Sequence, residues 1–294
     1  MGSDWFSSFH TWLKTETALR NEVRAVNYRD VDLSAYFRES MFYDEDFVFE
    51  WSRTESRVGL YSGLSGRRTL SSAVHELITR QGISGVQRIP VLDLHGIAFS
   101  KTHGCRNLEE LAYHLRLPSE YPYPGLIRFE TEEDFLGNIA KVDREFYGQG
   151  VVALFREWDG KLFVNNGDKS HHLAAVYRQC KEQGRQHYLN LRVRVLRIDQ
   201  TNGRFILDNY YPLILNEESR YQLCRVLERF GIEWRSANMS NELEIFYISK
   251  TSKRATIVYD EITHVGAGGF FDLKRYLEEL LLTVGVFPCG SHVG

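Results

Sequence analysis

The stretch VVALFREWDGKLFVNN, residues 151–166, continues through GDKSHHLAAVYRQCKEQG, 167–184, to LNLRVRVLRI, 189–198, and its reading decides the fold. Val151 to Phe155 is a short apolar run, and Lys161 to Val164 is its return strand. Between them Asp159-Gly160 is the dipeptide that tight hairpin turns favour, because such turns need residues that tolerate positive φ. Asp168 to Glu182 then places Leu173, Ala174, Val176, Tyr177 and Cys180 at helical spacing, and Gly184 supplies the left-handed residue that closes a helix. From Leu189 to Ile198 the residues Leu191, Val193 and Val195 alternate with Arg192, Arg194 and Leu196, the pattern of a half-buried strand. Strand, turn, strand, helix and strand in this order predict a mixed sheet with a helix packed on it, an α+β fold.

Working outward, Asn107 stands as an N-cap before LEELAYHLRL, and Pro118 ends that helix. Pro118 to Gly125, PSEYPYPG, is a stiff connection. Thr131 opens a helix over Glu132 to Phe146 with acidic residues in its first turn, where they meet the positive end of the helix dipole. A strand is expected at Leu126 to Phe129. Nearer the start, Phe6 to Ala25 reads as an amphipathic helix, Leu70 to Arg80 as a second, and Arg88 to Leu94, RIPVLDL, as a strand. Toward the end, the Asn202-Gly203 turn before a strand at Phe205 to Leu207 is followed by a helix over Glu217 to Phe230 that stops at Gly231. Strands at Glu242 to Ser249 and Thr256 to Tyr259 flank a basic turn, and a last helix runs from Asp272 to Leu282. Gly82, Gly85 and Pro90 mark one boundary, and a second near residue 200 completes a division into 1–85, 86–200 and 201–294.

Composition narrows the function classes. Lys plus Arg number 36 and Asp plus Glu 39, a net charge of −3, so nucleic acid or anionic lipid would have to be met by a local patch. The four cysteines, Cys105, Cys180, Cys224 and Cys289, lie far apart with no C-x-x-C pair, as in a reducing compartment. Met1 to Thr11 lacks the basic start and apolar centre of a secretory signal, and no apolar run is long enough to span a bilayer. A cytoplasmic protein without a membrane partner is expected.

The segment Trp158 to Ile198 resembles the ParB/sulfiredoxin-like superfamily. In that family a strand runs into an Asp-Gly-x-His-Arg-x-x-Ala-Ala type of box that opens a helix, and a strand follows. Gly167, His171, His172, Ala174 and Ala175 match the box in kind. Two features depart from it: no arginine follows the histidines, and no cysteine sits in the box, so a sulfiredoxin-like reaction is not implied. The resemblance implies a mixed-sheet core of that type, a helical N-terminal part and a further C-terminal α/β portion. It also implies a nucleotide or other phosphate-bearing ligand, with phosphohydrolase, phosphotransferase and nuclease left open as reactions.

Elementary chemistry points to the same residues. Gly167 lets the backbone approach a ligand, a helix N-terminus presents N–H groups to an anion, and Asp168 or Ser170 would cap it. Lys169, His171 and His172 surround that terminus with donors, and either imidazole is a candidate general acid or base. The phosphate-binding set is therefore Gly167, Asp168, Lys169 and Ser170, with His171 and His172 as the catalytic candidates. A metal between adjacent histidines is disfavoured, because neighbours on a helix point about 100° apart. Elsewhere, His95, His103 and Cys105 lack a fourth ligand, and Ser65, Ser71, Ser72 and His75 lack an oxyanion motif. Arg192, Arg194 and Arg197 could form a nucleic-acid stripe, although their alternation is also that of a solvated strand. Residues 36–51, rich in aromatic and acidic side chains, support the alternative of a non-enzymatic interaction factor, such as a phage or mobile-element protein or an antagonist of a host system.

Overall fold

The computed structural model describes residues 3–34, 37, 47–54, 69–83, 85–97, 100, 105–115, 127–128, 130–146, 152–166, 169–240, 242–265 and 269–283. Its elements in chain order begin with helices α1 (Ser3–Arg24), α2 (Phe47–Arg53) and α3 (Leu70–His75). Strands β1 (Ile78–Gly82), β2 (Gln87–Pro90) and β3 (Gly96–Ile97) precede helices α4 (Leu108–His114) and α5 (Glu132–Phe146). There follow β4 (Val152–Arg156), β5 (Lys161–Val164), α6 (Ser170–Gln183), β6 (Tyr188–Ile198) and α7 (Gln200–Asn209). The remainder is β7 (Tyr210–Asn216), α8 (Glu217–Arg229), β8 (Trp234–Asn238), β9 (Leu243–Ser249), α9 (Lys253–Val265) and α10 (Leu273–Leu282). The fold is α+β.

Two compact units result, one from the described residues within 1–33, 51–77 and 199–282, the other including 78–198. Of the stretch expected at 1–85, the described residues within 1–33 and 51–77 group with 199–282, while those within 34–50 and 78–85 group with 86–198. Two of the changes of unit fall after Leu77 and after Ile198.

In the unit holding 78–198, the sheet runs β1-β6-β4-β5-β3, with β2 pairing the same edge of β6 as β1. β4 and β5 form the expected hairpin, and Gly160 takes φ 69° at its turn. β4 and β6 lie parallel, with Ala153 opposite Val193 and Phe155 opposite Val195. Period-two alternation on β6 buries Leu189, Leu191, Val193 and Val195 in a core shared with apolar residues of α4, α5 and α6. Asn190, Arg192 and Arg194 project from the opposite face and are exposed.

The other unit is built on an antiparallel sheet, β7-β9-β8. Leu213, Leu215, Phe246 and Ile248 join one core with residues of α1, α8 and α9. Residues between them in sequence, Ile214, Ile245 and Tyr247, are equally buried, and Trp51 Nε1 donates to the Tyr247 hydroxyl at 2.8 Å.

Several expectations are corrected. Asn202-Gly203 is not a turn, nor Phe205 to Leu207 a strand; both lie in α7, which Asp199 caps by accepting from Asn202 N at 2.7 Å. Gly203 is closely packed there: a Cβ would stand 2.8 Å from Leu281 Cδ2, which would have to shift. Thr256 to Tyr259 is helical within α9, where Ala255, Val258, Tyr259 and Ile262 fall on one buried face. The helix expected to Arg80 stops at His75, because Ile78 to Gly82 pair with β6. RIPVLDL is a strand only to Pro90, and Val91–Asp93 form a 3-10 turn. Residues 127 and 128 are not in a strand, while 126 and 129 and the connection at 118–125 lie outside the described residues.

Candidate functional site

Helix α6 begins at Ser170, two residues after the start expected at Asp168. Gly167 and Asp168 lie outside the described residues. The cap itself is a correction: neither Asp168 nor Ser170 but Lys169 occupies the N-cap position, at φ 60° and ψ 18°, and its side chain makes no capping hydrogen bond. It is the one non-glycine residue at positive φ among those described. A side chain in the left-handed region costs on the order of 1–3 kcal/mol, so the surrounding structure must enforce it. Other helix starts use ordinary caps: Thr69, Asn107, Asp199 and Asn216 each accept from a backbone N–H of the first turn.

Behind the cap, Ser170 is buried and donates through Oγ to Ser100 Oγ at 3.3 Å. His171 and His172 are half-buried on the first turn, and Leu173, Ala174 and Ala175 are fully buried. Ala174 joins the core that α6 shares with the sheet. His172 Nδ1 lies 2.8 Å from Asn138 Oδ1 on α5. The amide of Asn138 is oriented by its Nδ2, which donates to the Arg128 carbonyl at 2.8 Å. The oxygen therefore faces the ring, so Nδ1–H must donate, and in a neutral imidazole Nε2 is the basic nitrogen. Gln179, two turns along α6, continues this polar line by donating to the Thr131 carbonyl at 3.4 Å.

Asn138 and Gln179 were missed in the sequence. They are 4% and 1% exposed. A signal was present, for Phe135, Asn138, Val142 and Phe146 form one buried stripe of α5, and an amide on an apolar stripe needs a partner. His171 and His172 are brought to one helix start, and His172 is joined to α5.

The other candidates fall apart or serve the frame. Among the described residues no three His, Cys, Asp or Glu side chains gather as metal ligands. His95 instead packs edge-on against Phe163, Cys105 is buried, and His103 lies outside the described residues. Burial pushes the Cys105 and Cys224 thiols up to about 11 and raises that of Cys180, so none of these is a ready thiolate. Cys105, Cys180 and Cys224 are free thiols. Ser72 and Thr69 form a capping box at α3, and Ser65 lies outside the described residues. Arg197 is held by Glu157 at 2.9 Å and Gln81 at 2.8 Å, so it leaves the stripe that Arg192 and Arg194 continue. Of the aromatic and acidic stretch at 36–51, Trp51 and Val48 are buried, Phe37 is exposed, and 38–46 lie outside the described residues. Among the described residues no helix is long and apolar enough to cross a membrane.

The architecture is thus that of an α+β protein whose mixed sheet presents a strained, lysine-capped helix start. Residues 86–284 match the model of a family of unknown function, DUF6685, and the chain belongs to that family. No curated protein and no solved structure matches the chain.

Proposed function

We propose that the protein binds a nucleotide or another phosphate-bearing ligand at the start of α6, in the manner of ParB/sulfiredoxin-like proteins. The observation that carries this reading is the Lys169 turn. A non-glycine residue held at φ 60° at a helix start without a side-chain cap is a strained junction of the kind that persists at ligand sites. Support comes also from the order β5, α6, β6, which is the order of the family's box, and from the cationic side chain placed where a phosphate would meet the helix dipole. In this reading His172 is the general acid or base. Its Nδ1–H is engaged by Asn138, so the proton is taken or given at Nε2.

A nucleotide panel screened by thermal shift, followed by isothermal titration with the best member, tests the proposal. Lys169→Ala should weaken binding about tenfold, the loss of one charge-assisted hydrogen bond. Lys169→Gly separates strain from charge: it should bind as weakly as Lys169→Ala yet gain about 1 kcal/mol of stability, because glycine adopts the left-handed conformation freely. A folded Lys169→Ala protein with unchanged affinity, or a panel in which no nucleotide binds, overturns the proposal.

A further inference from the structure

The sheet face opposite α4, α5 and α6 carries a row of arginines that the α6 site does not use. Antiparallel register places Arg88 across from Asn190 on β6, and Arg80 across from Leu196. Arg192 and Arg194 lie between them on the same face, about 6.6 Å apart at the usual strand rise. Arg80, Arg88, Arg192 and Arg194 are all exposed. Among the described residues, Arg80, Arg192 and Arg194 have neither an ion pair nor a hydrogen bond to a side chain. No carboxylate occupies this face on β1, β2, β4 or β6, as the register and sequence show. Several arginines elsewhere in the same chain are paired instead. Arg197, one turn of the alternation away, is held by Glu157, and Arg20, Arg24 and Arg185 each have a carboxylate partner.

Like charges side by side on a sheet repel and are destabilising, and here the chain as a whole is acidic, so carboxylates were available to interleave. A row of one sign marks a polyanion as the complementary partner. The Arg88 guanidinium also lies 4.1 Å from the centre of the Tyr188 ring, so a flat cation–aromatic stack flanks the row beside exposed Asn190. Guanidinium planes of this kind accept a stacked nucleobase, and an amide reads base edges. A broad sheet face cannot enter the major groove of a duplex, which admits a helix or a two-stranded ribbon.

We infer that this face binds single-stranded nucleic acid, with Arg80, Arg88, Arg192 and Arg194 on successive phosphates and the Arg88–Tyr188 stack against a base. Four phosphate contacts to a single strand give a slope of about −2.8 in log affinity against log salt, so binding falls about fifty-fold between about 50 and about 200 mM salt. The assignment is independent of the α6 site.

Fluorescence anisotropy of the full chain with a labelled oligothymidylate of about 20 nucleotides tests it, since that length exceeds an ordinary single-strand site. Combined Arg192→Glu and Arg194→Glu should weaken binding by more than about thirtyfold, through the loss of two charges and the addition of two repulsions. Should that variant melt early, Arg192→Gln with Arg194→Gln serves in its place and should halve the salt slope. Arg197→Ala should bind within about twofold of the wild type, because it is engaged by Glu157. Absence of wild-type binding at low salt, or a glutamine variant with unchanged affinity and slope, overturns the inference. So does a duplex of equal length that binds as tightly, or a polyglutamate that displaces the oligonucleotide at equal charge, which would assign the face to an acidic protein. None of these results bears on nucleotide binding at α6, so the two readings fail separately.

Discussion

Strand β6 buries Leu189, Leu191, Val193 and Val195 while exposing Asn190, Arg192 and Arg194, whereas all seven residues of β9, Leu243–Ser249, are buried. The difference follows from what covers each sheet. Helices α4, α5 and α6 share a core with one face of β6. β9 is the middle strand of its sheet, with α1, α8 and α9 contributing to the core on one face and Trp51 reaching Tyr247 on the other. Even the one carboxylate on β9, Glu244, is accommodated there by Arg220 at 2.9 Å. A strand with a solvent-exposed stretch on one face can carry charge for a ligand there, and a strand buried throughout is committed to stability.

Truncation should break this contrast most strongly at β9. Phe246→Ala should cost about 3–5 kcal/mol, and the neighbouring Tyr247→Ala a comparable amount, because consecutive residues both lose a core. On β6, Val193→Ala should cost about 2 kcal/mol and the adjacent Arg194→Ala no more than about 0.5 kcal/mol. Urea denaturation of the four variants reads the pattern. Equal losses at Val193 and Arg194 would show that the arginine face is packed after all.

A smaller effect is expected where the β7-β9-β8 sheet is closed. Phe271 exchanges backbone hydrogen bonds with Ile214 on β7, and Gly269 precedes it in tight contact with Tyr28. A Cβ on Gly269 would stand 2.8 Å from the Tyr28 carbonyl carbon, and backbone cannot swing aside as a side-chain tip does. Gly269→Ala should therefore cost about 1–3 kcal/mol, with no change in nucleotide or oligonucleotide binding. A melting temperature equal to that of the wild type would show that the segment relaxes freely.

The smallest effect is confined to acid. Glu261 on α9 is paired with Arg20 and with Arg24, the latter at 2.6 Å, and its side chain is 4% exposed. The hydrogen bond from Arg24, then that from Arg20, hold its carboxyl below the ordinary carboxylate value of 4.5. With the folded value below the unfolded one, the stabilisation is complete above that ordinary value and is lost as pH falls through the lower folded one. Glu261→Gln should therefore be less stable than wild type at neutral pH, and the gap should close as pH falls below the ordinary carboxylate value. A gap independent of pH would assign the role of Glu261 to packing alone.

Much of the unit holding 78–198 was legible because its signals are local. The Asp159-Gly160 turn, the helix closed by Gly184 and the alternation on β6 each depend on a few neighbouring residues, and each appears as read. What could not be read depends on distant partners. Asn202-Gly203 carries a turn signal, but Asp199 caps it into a helix and Leu281 fills the space beside the glycine. Thr256 to Tyr259 has strand-like composition, yet its apolar residues meet the core at helical spacing. The candidate site divides in the same way. His171, His172 and Lys169 were visible as a cluster in sequence, since a helix start gathers adjacent residues. That Asn138, 34 positions earlier, orients His172, and that Lys169 is bent into the left-handed region, are decided by how α5 and the preceding strand meet α6. The sequence by itself thus determined the periodic elements and the charges they carry. Only the tertiary structure decided which of those charges found partners, because pairing depends on the register between elements and not on the order within them.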